Sequence, residues 1–339
     1  MKPSQDTWFA IVNPIAGYGR ALDDLPTISK LLRDHDVDYE LVFTEHKYHA
    51  TQLTVEAVRR GYRKIIVMGG DGTLHEVVNG IFIQQEVATD QILVAVIAVG
   101  TGNDWIRMYG IPRKYSEAIN AIVESHSFLQ DVGVVKYEEA SYRQQRYMSN
   151  AGGIGLDATV VQRFNRLKAK GYRGRRLYVY GLVKSYMRYT STGMRIWVDD
   201  QLVVNDIVLS ATIGVCKYNG GGMMQVPQAV SDDGLLDLTT IRKIHWWQIP
   251  ANFRRLFNGN IYSIPQVSLH RGSKIRIEST PDAPIEIDGE LVGNSPVEFT
   301  ILHRAVRVVV SEKFLRGELM KRPGRAPEIN MRTMLPDTK

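Results

Sequence analysis

Residues 69–73 read Gly-Gly-Asp-Gly-Thr and follow the apolar run Ile65-Ile66-Val67-Met68. Without Cβ atoms, Gly69, Gly70 and Gly72 let backbone approach a bulky anion and offer it N–H groups. A helix opening at Thr73 would add the positive end of its dipole at the same place. Asp71 stands in the middle of this electropositive bend and would repel a bare phosphate. A metal ion or a proton-bearing group must therefore mediate, and Mg²⁺, which binds through few carboxylates and several waters, is the natural choice. The competing reading is a tight strand-to-helix turn that needs glycine only for its backbone angles. Two further bends weigh against that reading. NPIAGYGR, Asn13 to Arg20, and GTGNDW, Gly100 to Trp105, also follow apolar runs, and the second carries another carboxylate, Asp104. In an open α/β sheet ligands bind beyond the carboxyl ends of the strands, so three such bends point to one polyphosphate site. Neither GxxxxGK[ST] nor a complete GxGxxG is present, which sets aside a P-loop and a Rossmann dinucleotide site.

Later segments carry further candidates. QAVSDDGLLDL, Gln228 to Leu238, and IEIDGELVG, Ile285 to Gly293, each contain Asp-Gly, itself a strong hairpin-turn signal. Between Arg163 and Arg195 lie ten basic residues (Arg163, Arg166, Lys168, Lys170, Arg173, Arg175, Arg176, Lys184, Arg188, Arg195) and no acid, in a chain whose net charge is only +6. Phe164, Tyr172, Tyr178, Tyr180, Tyr186 and Tyr189 are interleaved. This block fits an anionic membrane surface, each base there being worth about 1 kcal/mol. It also allows nucleic acid stacked on the aromatic rings, or an ordinary solvated helix face. His245-Trp246-Trp247 with Ile249 forms a second apolar-aromatic cluster, for which burial is the simpler reading. The eight histidines show no metal spacing, and the single cysteine, Cys216, excludes a disulfide framework and a cysteine zinc site.

Elements must position these residues. WFAIVNP, YELVFTE, KIIVMGG and ILVAVIAVG read as strands. LDDLPTISKLLRDH, ATQLTVEAVRRGY, TLHEVVNGIFIQQ and YSEAINAIVES read as helices. The strands are near-continuous apolar blocks, as a parallel sheet covered on both faces requires. The pattern predicts a doubly wound α/β domain over residues 1–128. From 129 to 310 strand-and-turn grammar takes over, predicting a mostly antiparallel β-sandwich with a helical insertion at about 157–190. Part of 311–339 is expected to return to the first domain, and its Pro- and charge-rich tail to be poorly ordered. No apolar run approaches the ~20 residues that cross a bilayer, and the N-terminus lacks signal-peptide character. A cytoplasmic protein is expected.

NPxxGxG near the N-terminus, GGDGT after a buried strand, and GTGND some thirty residues after GGDGT together resemble the diacylglycerol kinase catalytic domain of soluble bacterial lipid kinases, similar to sphingosine and ceramide kinases. The DDGLLDL and DGE segments agree with the family's two motifs in its β-domain, so the resemblance runs to about residue 315. It implies ATP in the cleft between the domains, contacted by Asn13, Pro14, Ile15, Ala16 and Gly17, by Thr44, by Gly70, Asp71, Gly72, Thr73, Leu74, His75 and Glu76, and by Thr101. It implies that Asp71 and Asp104 organise Mg²⁺, with Asp131 extending the network. A second, structural Mg²⁺ would be held by Asp233 and the carbonyls of Val230 and Leu235. Glu290 is implied as the base that takes the acceptor hydroxyl's proton, with Asp71 the alternative. Tyr18 stands where many relatives carry lysine, leaving Arg20 as a substitute phosphate contact.

The implied activity is transfer of the γ-phosphoryl group of ATP to a lipid hydroxyl, with diacylglycerol, giving phosphatidic acid, as the default acceptor. A sphingoid base, ceramide or phosphatidylglycerol remains open. So do an NAD kinase and a nucleotide-binding regulator without turnover. The implied partners are ATP, the lipid and an anionic membrane surface docked through the Arg163–Arg195 segment rather than nucleic acid, with a homodimer left open.

Overall fold

The computed structural model describes residues 3–100, 102–139, 142–169, 184–186, 189–245, 248 and 252–321. The chain divides into two compact units, one of residues up to Gln130 with those from Arg304 onward, the other Asp131–His303.

In the first unit, β1 (Trp8–Val12), β2 (Tyr39–Phe43), β3 (Lys64–Gly69) and β4 (Leu93–Ala98) pair in parallel in the order β2-β1-β3-β4. Arg307 and Val308, near the end of the last strand, add a fifth parallel partner beside Leu93 and Val94. The apolar runs are continuous because both faces are covered. Trp8, Ala10 and Val12 pack with α1 (Arg20–Asp34) and α5 (Tyr115–Glu124), while the alternate residues Phe9 and Ile11 are equally buried. Strand β2 differs. It lies at the edge and is half-buried, and its Glu40 binds Arg60 and Tyr62 on the surface. After residue 310 the chain forms α7 (Glu312–Lys321), where Phe314 packs its ring 5.1 Å from that of Tyr109.

Helix α2 (His49–Arg60) packs on α3 (Asp71–Ile83). The helix expected from Thr73 begins at Asp71 instead. Gly70 is its N-cap, and the Gly70 carbonyl accepts the N–H groups of Thr73 and Leu74. A carboxylate in the first turn suits the helix dipole. Two contacts lock α3 to α2. The Glu76 carboxylate accepts the N–H groups of Tyr48 (2.9 Å) and Ala50 (3.1 Å), capping α2. Gly80 lets the helices touch, for a Cβ there would stand 2.6 Å from Thr54 Cβ.

The second unit is antiparallel. Its strands are the greater part of β5 (Ser127–Glu139), β6 (Tyr142–Met148), β7 (Ala151–Gly155), β8 (Thr192–Val198), β9 (Gln201–Gly214), β10 (Leu236–Arg242), β11 (Val267–Gly272), β12 (Lys274–Thr280), β13 (Pro284–Ile287) and β14 (Glu290–Val309) as far as His303. Six of these pair in a closed circuit, β9-β8-β12-β14-β13-β7 and back to β9. The long strands β9 and β14 each change partners midway, which makes the sandwich a flattened barrel without free edges in that circuit. Its interior is one apolar cluster including Ile154, Ile196, Ile213, Ile277, Ile285 and Phe299. The helical insertion is represented by α6 (Leu156–Ala169). Strands β6 and β7 are separated only by Ser149-Asn150. There the backbone N–H groups turn to the Asp288 carboxylate instead of a neighbouring strand.

Gly80→Ala should lower stability by about 1–3 kcal/mol, the usual range for overpacking a close contact. Urea unfolding would show it as a reduced midpoint, whereas Ala at this helical position would otherwise be favourable.

Candidate functional site

Strands β1, β3 and β4 are parallel neighbours, so the bends that follow them leave at the same edge of the sheet. The bends touch. Gly17, at φ +61°, lies so close to the third bend that a Cβ would stand 2.4 Å from the Val99 carbonyl oxygen. Gly70 and Gly100 are packed backbone to backbone, a Cβ on Gly100 reaching 2.6 Å from Gly70 Cα. Asn13 ties the first bend to the second by donating from Nδ2 to Thr73 Oγ1 at 3.0 Å. Its Oδ1 accepts the Ile15 N–H at 3.2 Å, and Ile15 itself is 80% exposed. Thr44, beyond β2, donates its N–H to the Val12 carbonyl and so adjoins the first bend. The three bends thus form one continuous backbone surface, with Pro14 and Ala16 half-buried on it.

The rest of the GGDGT segment is committed inward. Leu74 and His75 are buried, Asn79 donates to the His75 carbonyl at 2.8 Å, and Glu76 caps α2. Asp71 has a further task. Its Oδ2 accepts the N–H of Asp104 and its Oδ1 that of Trp105, both at 3.1 Å, at the start of α4 (Asp104–Met108). One carboxylate therefore joins the second bend to the third and satisfies amide groups left over at a helix start. Asp104 is buried, with Arg107 Nε at 3.4 Å from its Oδ1. Arg113 donates to the Gly102 carbonyl at 2.8 Å. A Cβ on Gly102 would meet Asp71 Oδ2 at 3.2 Å and Asp104 Oδ2 at 3.7 Å. Glycine at 102 thus leaves a small cradle faced by two carboxylate oxygens. That donor set fits a hard divalent cation completed by water or phosphate oxygens. Arg20, expected as a substitute phosphate contact, pairs with Asp24 at 3.2 Å. Thr101 lies outside the described residues.

In the second unit the DGE segment is a two-residue hairpin turn, Asp288 and Gly289 having φ of +50° and +85°. The Asp288 carboxylate accepts the N–H groups of Ser149 (2.8 Å), Asn150 (2.9 Å) and Ala151 (3.1 Å) and the Ser149 hydroxyl. Sequence reasoning did not foresee that anchor. Its only signal is an aspartate one place ahead of the turn glycine. Glu290, half-buried, opens β14 opposite Ile287. Glu286 accepts the Gly289 N–H at 2.8 Å and an Asn219 Nδ2 hydrogen at 3.2 Å. It stands close to a second, half-buried acid, Asp157, which takes hydrogen bonds from Thr212 and Gln225. Glu286 Oε1 and Asp157 Oδ2 lie 2.9 Å and 3.1 Å from where a Gly153 Cβ would be. This acid pair was not expected either, since Glu286 reads in the sequence as one polar residue within an apolar strand.

Asp131, also fully buried, belongs to the second unit. Its Oδ2 accepts the Gly234 N–H at 2.6 Å, its Oδ1 is 2.9 Å from His303 Nδ1, and its own N–H donates to the Ser231 carbonyl. It therefore braces the QAVSDDGLLDL bend, which contains Val230, Asp233 and Leu235. The residues of that bend do not fit a second Mg²⁺. Asp233 Oδ1 accepts the Leu235 N–H at 3.1 Å, and Oδ2 holds the Arg271 guanidinium at 2.6 Å. Among the described residues, no group of three His, Cys, Asp or Glu side chains is arranged to ligate a metal.

Of the basic segment, Arg163, Arg166, Lys184 and Arg195 are described, and Arg195 pairs with Glu278 at 2.6 Å. Lys170, Arg173, Arg175, Arg176 and Arg188 lie outside the described residues, as do Tyr172, Tyr178, Tyr180, Trp246, Trp247, Ile249 and the tail from residue 322. Among the described residues no helix is long and apolar enough to cross a membrane.

Comparison with known proteins bears on this geometry. Residues 7–135 match the diacylglycerol kinase catalytic domain, and residues 151–310 match the YegS C-terminal NAD kinase beta sandwich-like domain. The chain is 26% identical over 302 residues to a diacylglycerol kinase of Mycobacterium tuberculosis, covering 88% of this chain and 94% of that one. It is 27% identical over 311 residues to a diacylglycerol kinase of Staphylococcus carnosus, covering 92% and 97%. The fold is similar to a crystal structure of a Bacillus anthracis diacylglycerol kinase, with a TM-score of 0.73 at 23% identity over 92% of this chain and 99% of that one. Yeast NADH kinase shares the fold more distantly, with a TM-score of 0.51 at 10% identity over 99% and 91% of the two chains.

Burial pushes the Glu286 carboxyl up from its ordinary 4.5 to about 8; the Gly289 N–H opposes the shift and the Asp157 carboxylate adds to it. The folded protein keeps a proton that the unfolded chain releases, so this group's effect is to lower stability as pH rises from about 4.5 to about 8. Glu286→Gln supplies a neutral side chain of similar size. Its urea midpoint should fall less than that of the wild type between about pH 5 and pH 8, and an equal fall would show that Glu286 is ionised in the fold.

Proposed function

Because the chain belongs to the diacylglycerol kinase catalytic-domain family, we propose that it transfers the γ-phosphoryl group of ATP to the hydroxyl of a lipid, with diacylglycerol as acceptor and phosphatidic acid as product. The observation that carries this reading is the contact of the three side-chain-poor bends, Gly17 on Val99 and Gly70 on Gly100. Their backbone would wrap the polyphosphate, much as glycine-rich turns elsewhere cradle anions.

Asp71 and Asp104 would hold Mg²⁺ at the Gly102 cradle. When bound, the ion neutralises charge on the phosphate oxygens. The residues of the chain do the rest by position. Asn13 and Thr73 keep the first and second bends in register, and Asp71 keeps the second against the third. Arg107, beside Asp104, and Arg113, on the Gly102 carbonyl, supply positive charge close to the bends. In the transfer the acceptor's hydroxyl oxygen bonds to the γ-phosphorus, the bond from that phosphorus to the β–γ bridging oxygen breaks, and ADP leaves. The hydroxyl proton passes to Glu290, which the Asp288–Gly289 turn presents at the head of β14. Such a transfer asks little covalent chemistry of the protein, so positioning and charge carry most of the rate. The Arg163–Arg195 segment would bring the enzyme to an anionic membrane surface, where its substrate resides.

Incubation with radiolabelled ATP, Mg²⁺ and a panel of detergent-dispersed lipids should label diacylglycerol. Labelling of NAD in place of any lipid would favour an NAD kinase. Asp71→Ala should abolish turnover, and near-normal activity would remove GGDGT from the mechanism. Glu290→Gln should retain ATP binding while turnover falls at least ~10²-fold, the usual contribution of a general base; an unchanged rate would assign proton removal to another group.

A further inference from the structure

The DDGLLDL bend is built around a guanidinium. Arg271 on β11 lies directly across from Asp237 on β10. Its Nε is 2.9 Å from Asp237 Oδ1, and its Nη2 reaches both Asp237 Oδ2 (3.3 Å) and Asp233 Oδ2 (2.6 Å). Asp237 is fully buried, and burial pushes its carboxyl up to about 6 against the pull of Arg271. With Oδ2 so held, Asp233 accepts the Leu235 N–H on Oδ1, which shapes the turn at Gly234 (φ +77°). That turn aims the Gly234 N–H at Asp131 Oδ2.

We propose that Arg271 is the built-in counter-ion of the 231–235 bend, taking through Asp233 and Asp237 the place of a structural divalent cation and so acting as the positioning residue for Asp131. A cation on Asp233 would have to share Oδ2 with the guanidinium or Oδ1 with the Leu235 N–H, and on either oxygen it would sit close to the Arg271 charge, which repels it. If Arg271 swung aside, buried Asp237 would lose the partner that compensates it, a strongly unfavourable change. Lysine would supply the charge without the two-pronged geometry that reaches both carboxylates. The inference does not rest on the identity of the acceptor or on catalysis, and it concerns a different part of the chain from the Gly102 cradle.

Thermal unfolding of the nucleotide-free full chain tests it, with chelator or with millimolar Mg²⁺ or Ca²⁺. An ion bound only to the folded state raises the melting temperature. Added cation should therefore shift the wild type no more than it shifts Asp233→Asn, to within about 1 °C. A rise of several degrees in the wild type that Asp233→Asn abolishes would overturn the proposal, and this comparison stands even if substitution at 271 prevents folding. Arg271→Ala should melt several degrees lower in chelator and recover in part on adding cation, with Arg271→Lys between it and the wild type. Failure of both the cation and lysine to recover stability would reduce Arg271 to an ordinary packing contact and equally overturn the proposal.

Discussion

The interaction on which the first unit depends is the bond from one carboxylate, Asp71, to the backbone N–H groups of Asp104 and Trp105, thirty-three and thirty-four residues away. Parallel strands place the ends of β3 and β4 side by side but leave the bends beyond them free to splay. The Asp71 carboxylate closes that freedom. It satisfies amides that α4 cannot satisfy for itself, and a charge-assisted bond of this kind is about twice as strong as a neutral one. Once the two bends are joined, glycine is required at 100, where a Cβ would stand 2.6 Å from Gly70 Cα, and relieves crowding at 70 and 102, where a Cβ would come to 3.3 Å from Gly100 Cα and 3.2 Å from Asp71 Oδ2. Asp71 is thus both structural and exposed to the proposed cation, and its two roles share the same two oxygens.

The same device recurs. Glu76 caps α2, Asp131 takes the Gly234 N–H, Asp199 takes those of Ser273 and Lys274, and Asp288 gathers three successive amides. In each case a carboxylate holds backbone distant in the sequence, and the buried polar groups find partners without a longer sheet ladder. A fold with two domain-changing strands and several tight bends needs such rivets, because a bend contributes little apolar burial of its own.

Much of this was legible in the sequence. Uninterrupted runs such as Ile65–Met68 signal strands covered on both faces, and Asp-Gly signals the 288–289 turn, because these follow from local chemistry. The convergence of the glycine bends was inferable once the sheet was taken as parallel. What remained hidden depends on pairs far apart in the chain. Nothing local announces that Asp71 would cap α4, that Glu76 would cap α2, or that Glu286 would lie beside Asp157. Arg271 was equally silent: one arginine in a β-strand reads as a surface residue until its strand is placed opposite Asp237. The edge strand β2 misled for a related reason, since its YELVF run resembles its buried neighbours yet is covered only in part.

The first unit obtains its fifth parallel strand from residues 307–308, and Thr89 binds the Ala305 carbonyl across 216 positions of sequence. On the ribosome, the open flank of β4 must therefore wait while the whole of 131–303 is synthesised. A nascent chain presents Leu93 and Val94 as an unsatisfied template for stray strands during that interval. Cellular quality control thus meets this protein with its nucleotide-side sheet incomplete, and a message truncated before codon 304 would yield a chain prone to clump and not merely one lacking its last helix.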